Sequence, residues 1–394
     1  MSQETDPARL LEQLDAAVLQ GLVGRSMLLT QEWSQAELAA TLNLAATFAA
    51  FDRAGIPTPL FPRELFYALF FDNSTRTKSS WAGASARLSA HPFVADAATT
   101  QIAHGETAEE TGAMLGMNAH ALGIRHDLIL GEGNRFMRDA AKGINDYIRA
   151  NGEKRVVPIV NLQCDIDHPT QTLADLAWLK EKYPEGLAGK TIAISWAYSP
   201  SYAKPLSVPQ GEIMLLTRFG MNVRLAHPKG YDLMPDCLKW ARGNASEQDG
   251  RFDVVDSMDE AFAGADIVYP KSWGPYDLML ERVEANRNRD ADGMKEIEAR
   301  ALERNRLHTD WICDERRMKA TAKGEALYLH CLPADIGAEV SPGVYEKHRV
   351  NVAREANRKV YVIMALLAAA KEPELVARLT RFLADRPGAG KGGG

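Results

Sequence analysis

Several absences bound what this chain can be. Cysteine occurs only four times in 394 residues, at 164, 237, 313 and 331, with no CxxC pair and no zinc-type spacing. That excludes a disulfide-stapled scaffold and a zinc module, and the four are read as free thiols in a reducing compartment. Long apolar runs are missing too. No stretch reaches the ~20 residues of a bilayer-spanning helix, and Val360–Ala370 is short and follows Arg358-Lys359. Positive charge is not in excess: the formal net charge is −6, so neither nucleic acid nor an anionic membrane is expected as a partner, and any anion site must be local. The first residues, Met1-Ser2-Gln3-Glu4-Thr5-Asp6, lack the apolar core of a signal peptide. A cytoplasmic location is the expectation. No GxGxxG follows a predicted strand, which sets aside a dinucleotide-dependent dehydrogenase.

What is present fits a globular protein of two domains: 46% hydrophobic and 25% charged residues over this length supply ample core. The chain is organised around residues 65–88. The apolar run Leu65-Phe66-Tyr67-Ala68-Leu69-Phe70-Phe71 has strand length and stops at Asp72-Asn73-Ser74, residue types that favour turns and helix caps. Trp81, Ala84, Ser85 and Leu88 then follow at helical spacing. The motif is strand, turn, helix, with Ser74, Thr75, Arg76 and Thr77 at the helix mouth. The first N–H groups of a helix lack internal partners and carry partial positive charge, so hydroxyls and a guanidinium there make a phosphate cradle. An ordinary capped helix with a surface arginine uses the same residue types, and this stretch alone leaves both readings open.

In chain order, residues 8–55 read as helical. The segments 121–125, 156–161, 191–196, 222–226, 266–269 and 326–331 read as strands, and 108–121, 172–182, 212–219 and 354–370 as helices. The charged segment 281–305 reads as a solvated helical insertion without assigned chemistry. Alternating strands and helices predict an α/β fold of two doubly wound parallel-sheet domains joined by interdomain helices. The expected limits are 1–170, 171–355, a helix 356–386 packing back on the first domain, and a disordered Gly-rich tail 387–394.

Arg76, Arg125, His168, Gln171 and His330-Cys331-Leu332-Pro333 all fall at predicted strand ends or just beyond, where α/β sheets present ligands. Singly each is ordinary: a surface charge, a structural histidine, a packed thiol. As an ordered set, Ser74-Thr75-Arg76-Thr77, Arg125, His168-Pro169-Thr170-Gln171 and His330-Cys331-Leu332-Pro333 resemble the signature blocks of the aspartate/ornithine carbamoyltransferase family, over about residues 60–370. Lys271-Ser272-Trp273-Gly274 and the Pro-rich 198–210 stretch look like its knotted subgroup, which includes the acetyl- and succinylornithine enzymes. Residues 161–168 and 196–202 look most like the YgeW-type members.

The resemblance implies a transferase that moves the carbamoyl group of carbamoyl phosphate to an amino-acid acceptor, without metal or organic cofactor. It also implies a homotrimer with active sites at subunit interfaces and a knotted C-terminal domain. By the same resemblance Ser74, Thr75, Arg76 and Thr77 bind the phosphate. Thr77, Arg125 and His168 contact the carbamoyl oxygen, and Gln171 with the Cys331-Leu332 backbone holds its NH2. Arg358 is a further active-site arginine, Asn161, Lys271, Trp273 and Leu332 face the acceptor, and His104 reaches in from the adjacent subunit. Two departures stand out. Where ornithine enzymes keep an Asp and a Ser-Met-Gly, this chain has Lys271-Ser272-Trp273-Gly274, and where aspartate enzymes use a Lys it has His104. Plain ornithine and aspartate are therefore not the expected acceptors. A non-catalytic phosphate or metabolite sensor on the same scaffold is the alternative; it predicts eroded motifs, and the four blocks are intact.

Overall fold

The computed structural model describes residues 6–385, and the chain folds into two compact units. One takes the chain up to His126, then Asn134–Gln163, and resumes at Asn357; the other takes Asp127–Gly133 and Cys164–Ala356. The tail from 387, expected to be disordered, lies outside the described residues.

The first sheet is built from β1 (Leu65–Phe70), β2 (His91–Asp96), β3 (Ala121–His126) and β4 (Ile159–Cys164), in the order β2-β1-β3-β4. β1 pairs in parallel with both β2 and β3. The central strands are nearly continuous apolar runs because helices cover both faces, whereas β2, at the edge, is largely exposed. His91 N–H donates to Glu64 O at 2.7 Å, so the next residue, Pro92, turns its nitrogen toward the open side, the position proline tolerates in a sheet.

The second sheet contains β5 (Thr191–Trp196), β6 (Asn222–Ala226), β7 (Phe252–Val255), β8 (Ile267–Lys271) and β9 (Leu327–Tyr328), in the order β7-β6-β5-β8-β9. Its pairings are parallel. In each sheet the connections reverse direction once, at β1/β3 and at β5/β8. Such switch points open a crevice at the carboxyl ends of the strands.

Three expectations need correction. The strand expected at 156–161 begins at Ile159, because Pro158 has no N–H and contributes only its carbonyl, which accepts from Leu122 N at 2.9 Å. The last strand ends at Tyr328 instead of Cys331, since His330 N donates to the Glu355 carboxyl and not to a neighbouring strand. The segment 281–305 is not simply solvated. It belongs to two helices, Tyr276–Arg287 and Ala291–Asn305, whose charges pair across them: Arg300 with Glu281, Arg304 with Asp277, Arg282 with Glu298. One face is buried through Arg282, Ile297, Ala301 and Asn305. Among the described residues no helix is long and apolar enough to cross a membrane.

Candidate active site

In the first unit the switch point brings two predicted elements together. Phe70 lies opposite Arg125 in the β1–β3 register, and Phe71 N donates to Arg125 O at 2.9 Å. The chain leaves β1, turns through Asp72–Thr75 and enters the helix Arg76–Arg87. Thr75 occupies the cap position without a side-chain cap bond; instead Ser74 Oγ accepts from Thr77 N at 3.3 Å. Thr77 is buried, Ser74 and Arg76 are half-buried and Thr75 is exposed. Trp81 Nε1 donates to Phe66 O at 3.3 Å and fixes the helix on β1. Arg125, buried, lies 3.9 Å from the Asp72 carboxylate.

The neighbouring His126 stacks on Phe71 with ring centroids 4.1 Å apart. Burial, and then the charge of Arg135, push its pKa down to about 4. It is neutral at physiological pH and adds no charge beside Arg125. Arg358 is half-buried on the helix Pro342–Lys371. His104 is exposed at the end of a short 3-10 turn, Gln101–His104, closed by Gly105 at φ +98°. Asn161 sits buried inside β4, where its amide donates to Leu28 O at 2.6 Å.

In the second unit, β4 is followed by the loop that carries His168. This histidine, 3% exposed, stands at the cap of the helix Pro169–Lys182, with Thr170 Oγ1 3.4 Å from its Nδ1. The fully buried helix Ser207–Thr217 cradles that loop. Gln210 Nε2 donates to both Asp165 O and Ile166 O at 2.9 Å. At Gly211 a Cβ would lie 2.5 Å from Asp167 Oδ1, so only glycine permits this approach. Gln171 is buried and its Nε2 donates to Asp175 Oδ1 at 2.8 Å.

The ends of β8 and β9 form a second polar cluster. Lys271 is buried and donates to Ser272 O at 2.6 Å; burial, then repulsion by Lys204, lowers its pKa. Lys204 reaches Asp335 Oδ2 at 2.7 Å and Glu339 Oε1 at 3.0 Å. Glu339 also accepts from Ser272 N and Asp335 N, each at 2.8 Å. His330 Nδ1 accepts from Leu332 N at 2.8 Å, which places the ring proton on Nε2, 3.3 Å from Glu339 Oε2. Burial lowers the His330 pKa, against the opposing pull of Glu339. Burial alone would raise Glu339, but His330 and Lys204 outweigh it and hold the carboxyl well below the usual range.

Cys331 is buried, and Leu332 adopts φ +54°, a left-handed conformation that costs a branched residue about 1–3 kcal/mol and clusters at functional loops. Trp273 corrects an expectation. The aromatic wall is sealed in the core, 0% exposed, with Nε1 donating to Tyr231 O at 2.7 Å, so its indole offers no open surface.

Lys204, Glu339 and Asp175 were not singled out from the sequence. Lys204 lies within the Pro-rich stretch, but Glu339 and Asp175 are lone acids among apolar neighbours and carry no motif that could have flagged them.

Chemically, the first unit offers a helix N-terminus and two guanidinium groups suited to an oxyanion. The second offers a buried imidazole, an oriented amide and two desolvated lysines. Two family models match this chain. The profile of the aspartate/ornithine carbamoyltransferase carbamoyl-P binding domain matches residues 25–181, and that of the Asp/Orn binding domain matches residues 207–370. The chain is 48% identical over 369 residues to the "Putative carbamoyltransferase YgeW" of Escherichia coli strain K12, covering 92% of this chain and 93% of that one. It is 30% identical to the N-acetylornithine carbamoyltransferase of Xanthomonas campestris, covering 86% and 96%. Among solved structures, acetylornithine transcarbamylase complexed with acetylcitrulline superposes with a TM-score of 0.71 at 27% identity, covering 88% and 99%. The ornithine carbamoyltransferase of Pyrococcus furiosus gives 0.71 at 26%, covering 89% and 98%.

Proposed function

Since the chain belongs to the aspartate/ornithine carbamoyltransferase family, we propose that it moves the carbamoyl group of carbamoyl phosphate onto the amino group of an amino-acid-type acceptor and releases phosphate. The acceptor in this reading is N-acetylornithine-like or another small amino acid, not plain ornithine or aspartate. Ser74, Thr75, Arg76 and Thr77 take the phosphate, with Arg358 as a further cation. Arg125, His168 and Thr77 face the carbamoyl oxygen, while Gln171 and the Cys331-Leu332 backbone hold the carbamoyl NH2. The acceptor nitrogen attacks the carbamoyl carbon, negative charge grows on the carbamoyl oxygen, and the bond to phosphate breaks. Fixed N–H and cationic donors stabilise both anionic developments, and holding both reactants together removes an entropic cost.

The observation that carries the acceptor choice is Lys271, a buried ammonium that donates to a carbonyl, beside carboxylates already engaged by Lys204. An arriving carboxylate or acyl oxygen relieves its desolvation. An arriving ammonium meets a like charge, a mismatch of several kcal/mol when buried. Labelled carbamoyl phosphate offered with a panel of amines tests this. Wild type should favour acidic or acylated amino acids, and Lys271→Asp should move preference toward free ornithine. Efficient turnover of ornithine by wild type, or an unchanged profile in the variant, would remove Lys271 as the selector.

The same reading includes a cytoplasmic homotrimer with shared sites, His104 crossing from the neighbour, and a knotted second domain. The exposure of His104 and the resemblance around Lys271–Gly274 support it. A monomeric mass in dilute solution together with full activity would defeat the shared site.

A further inference from the structure

Three carboxyl side chains meet in the interior of the second unit: Asp175 on the helix Pro169–Lys182, Glu212 on Ser207–Thr217 and Glu355 on Pro342–Lys371, all 0% exposed. Glu212 and Glu355 each lie within side-chain hydrogen-bond reach of Asp175. Among the described residues neither oxygen of Glu212 is met by a donor group, and no set of three His, Cys, Asp or Glu residues is arranged to hold a metal ion. Three like charges cannot share a dry site, so protons must neutralise it. Burial and the neighbouring acids raise Glu212 and Glu355 well above the usual carboxyl range.

Two further groups fix where the remaining charge lies. Gln171 Nε2 donates to Asp175 Oδ1 at 2.8 Å and Tyr269 OH donates to Asp175 Oδ2 at 3.1 Å. An ionised carboxylate has about four acceptor positions; Gln171 and Tyr269 occupy two on Asp175, and a protonated glutamate would donate to another. Glu355 meanwhile receives His330 N at 3.2 Å.

We propose that Asp175, Glu212 and Glu355 form a proton-sharing triad that positions two substrate-facing groups at once, the Gln171 amide and the His330–Leu332 backbone. With its NH2 committed to Asp175, Gln171 must present its oxygen, an acceptor, away from the triad. The amide orientation follows from the network rather than from the amide itself. Glu355 pins the amide of the loop that carries the other acceptors, the carbonyls of Cys331 and Leu332. Both receivers of a carbamoyl –NH2 therefore hang from one cluster. The triad selects a ligand that donates at this position over one carrying a methyl group there. This deepens the proposed function and rests on it.

The test has a substrate-free arm and a kinetic arm. Infrared spectra of wild type at about pH 8, where ordinary carboxyls are ionised, should keep a carboxylic-acid C=O band, part of which disappears in Glu212→Gln and part in Glu355→Gln. Kinetically, Glu212→Ala and Glu355→Ala should lose ~10–100-fold in kcat/KM for carbamoyl phosphate. The Gln variants, which still donate to Asp175, should recover most of that loss. Asp175→Asn can donate to the Gln171 oxygen and reverse the amide, so preference for carbamoyl phosphate over acetyl phosphate, read as KM against Ki, should shrink by ~10–100-fold.

Absence of the wild-type band overturns the triad even if Asp175→Asn fails to fold. Gln variants as damaged as the Ala variants, or an unchanged preference in folded Asp175→Asn, overturn the positioning role. If the band is present but wild type binds no carbamoyl phosphate, the assigned function falls, and the Gln171 role with it.

Discussion

The mouth of the helix Arg76–Arg87 and the loop His330–Leu332 are assigned to one substrate, yet they are built in opposite ways. At the mouth, Thr75 is exposed and Ser74 and Arg76 are half-buried, and the proposed partner of these side chains is an anion from solvent. At the loop, His330 and Glu339 are 0% exposed, and the polar groups are already engaged by protein: Leu332 N with His330, Ser272 N and Asp335 N with Glu339. In the proposed function the first region would recognise by charge at a helix end. The second would recognise through a backbone held in an uncommon conformation, Leu332 at φ +54°. Mutations should therefore separate activity from stability in one region and damage both together in the other.

The largest effect should come from Glu339→Ala. It leaves buried Lys204 with one carboxylate partner and deprives Ser272 N and Asp335 N of their acceptor. Stability should fall by about 3–5 kcal/mol, with activity lost in parallel, read by urea unfolding beside turnover. A folded variant of normal stability would erase the contrast. Arg76→Ala should do the reverse. Losing a charge-assisted phosphate contact should lower kcat/KM for carbamoyl phosphate by ~30–1000-fold with an unchanged melting temperature, and undiminished activity would remove Arg76 from the site.

The smallest effect sharpens the comparison on the acid side. In the unfolded chain a histidine binds its proton below about 6.5, whereas folded His126 does so only near about 4. Between those values the unfolded state holds more protons. Stability is then full above about 6.5 and drains as pH falls toward about 4, by up to about 3 kcal/mol. His126→Asn should flatten that part of the stability–pH curve measured by urea unfolding, and an unaltered slope would show that His126 is not the group responsible.

The same contrast explains what could be read from sequence. The mouth is local: strand, turn, hydroxyls and arginine are consecutive, so β1 and the helix that follows it were legible. β3, β5, β6 and β8 were legible as apolar runs. β2 and β7 were not, because edge strands carry mixed, exposed residues such as Phe93 and Val254 and lack the signal of a doubly covered strand. The loop's support was hidden for a different reason. Lys204, Glu339, Asp175, Glu212 and Glu355 are distant in sequence and meet only once the second sheet has formed. Trp273 shows the reverse hazard: an aromatic residue beside a candidate lysine invites a pocket wall, while the fold uses it as core.

Pro92 bears on how copies of this chain can associate. An edge strand ordinarily exposes a row of backbone donors to which another strand can add, the route to runaway sheet growth. In β2 that row is interrupted one residue from the start, where Pro92 has a ring in place of a donor. A neighbouring chain cannot continue this sheet across β2 by uninterrupted backbone pairing. Side chains such as Phe93, which is 51% exposed, remain available for contact on this strand. Side-chain contacts have a fixed geometry and can close into a finite assembly, whereas an open ladder has no natural end.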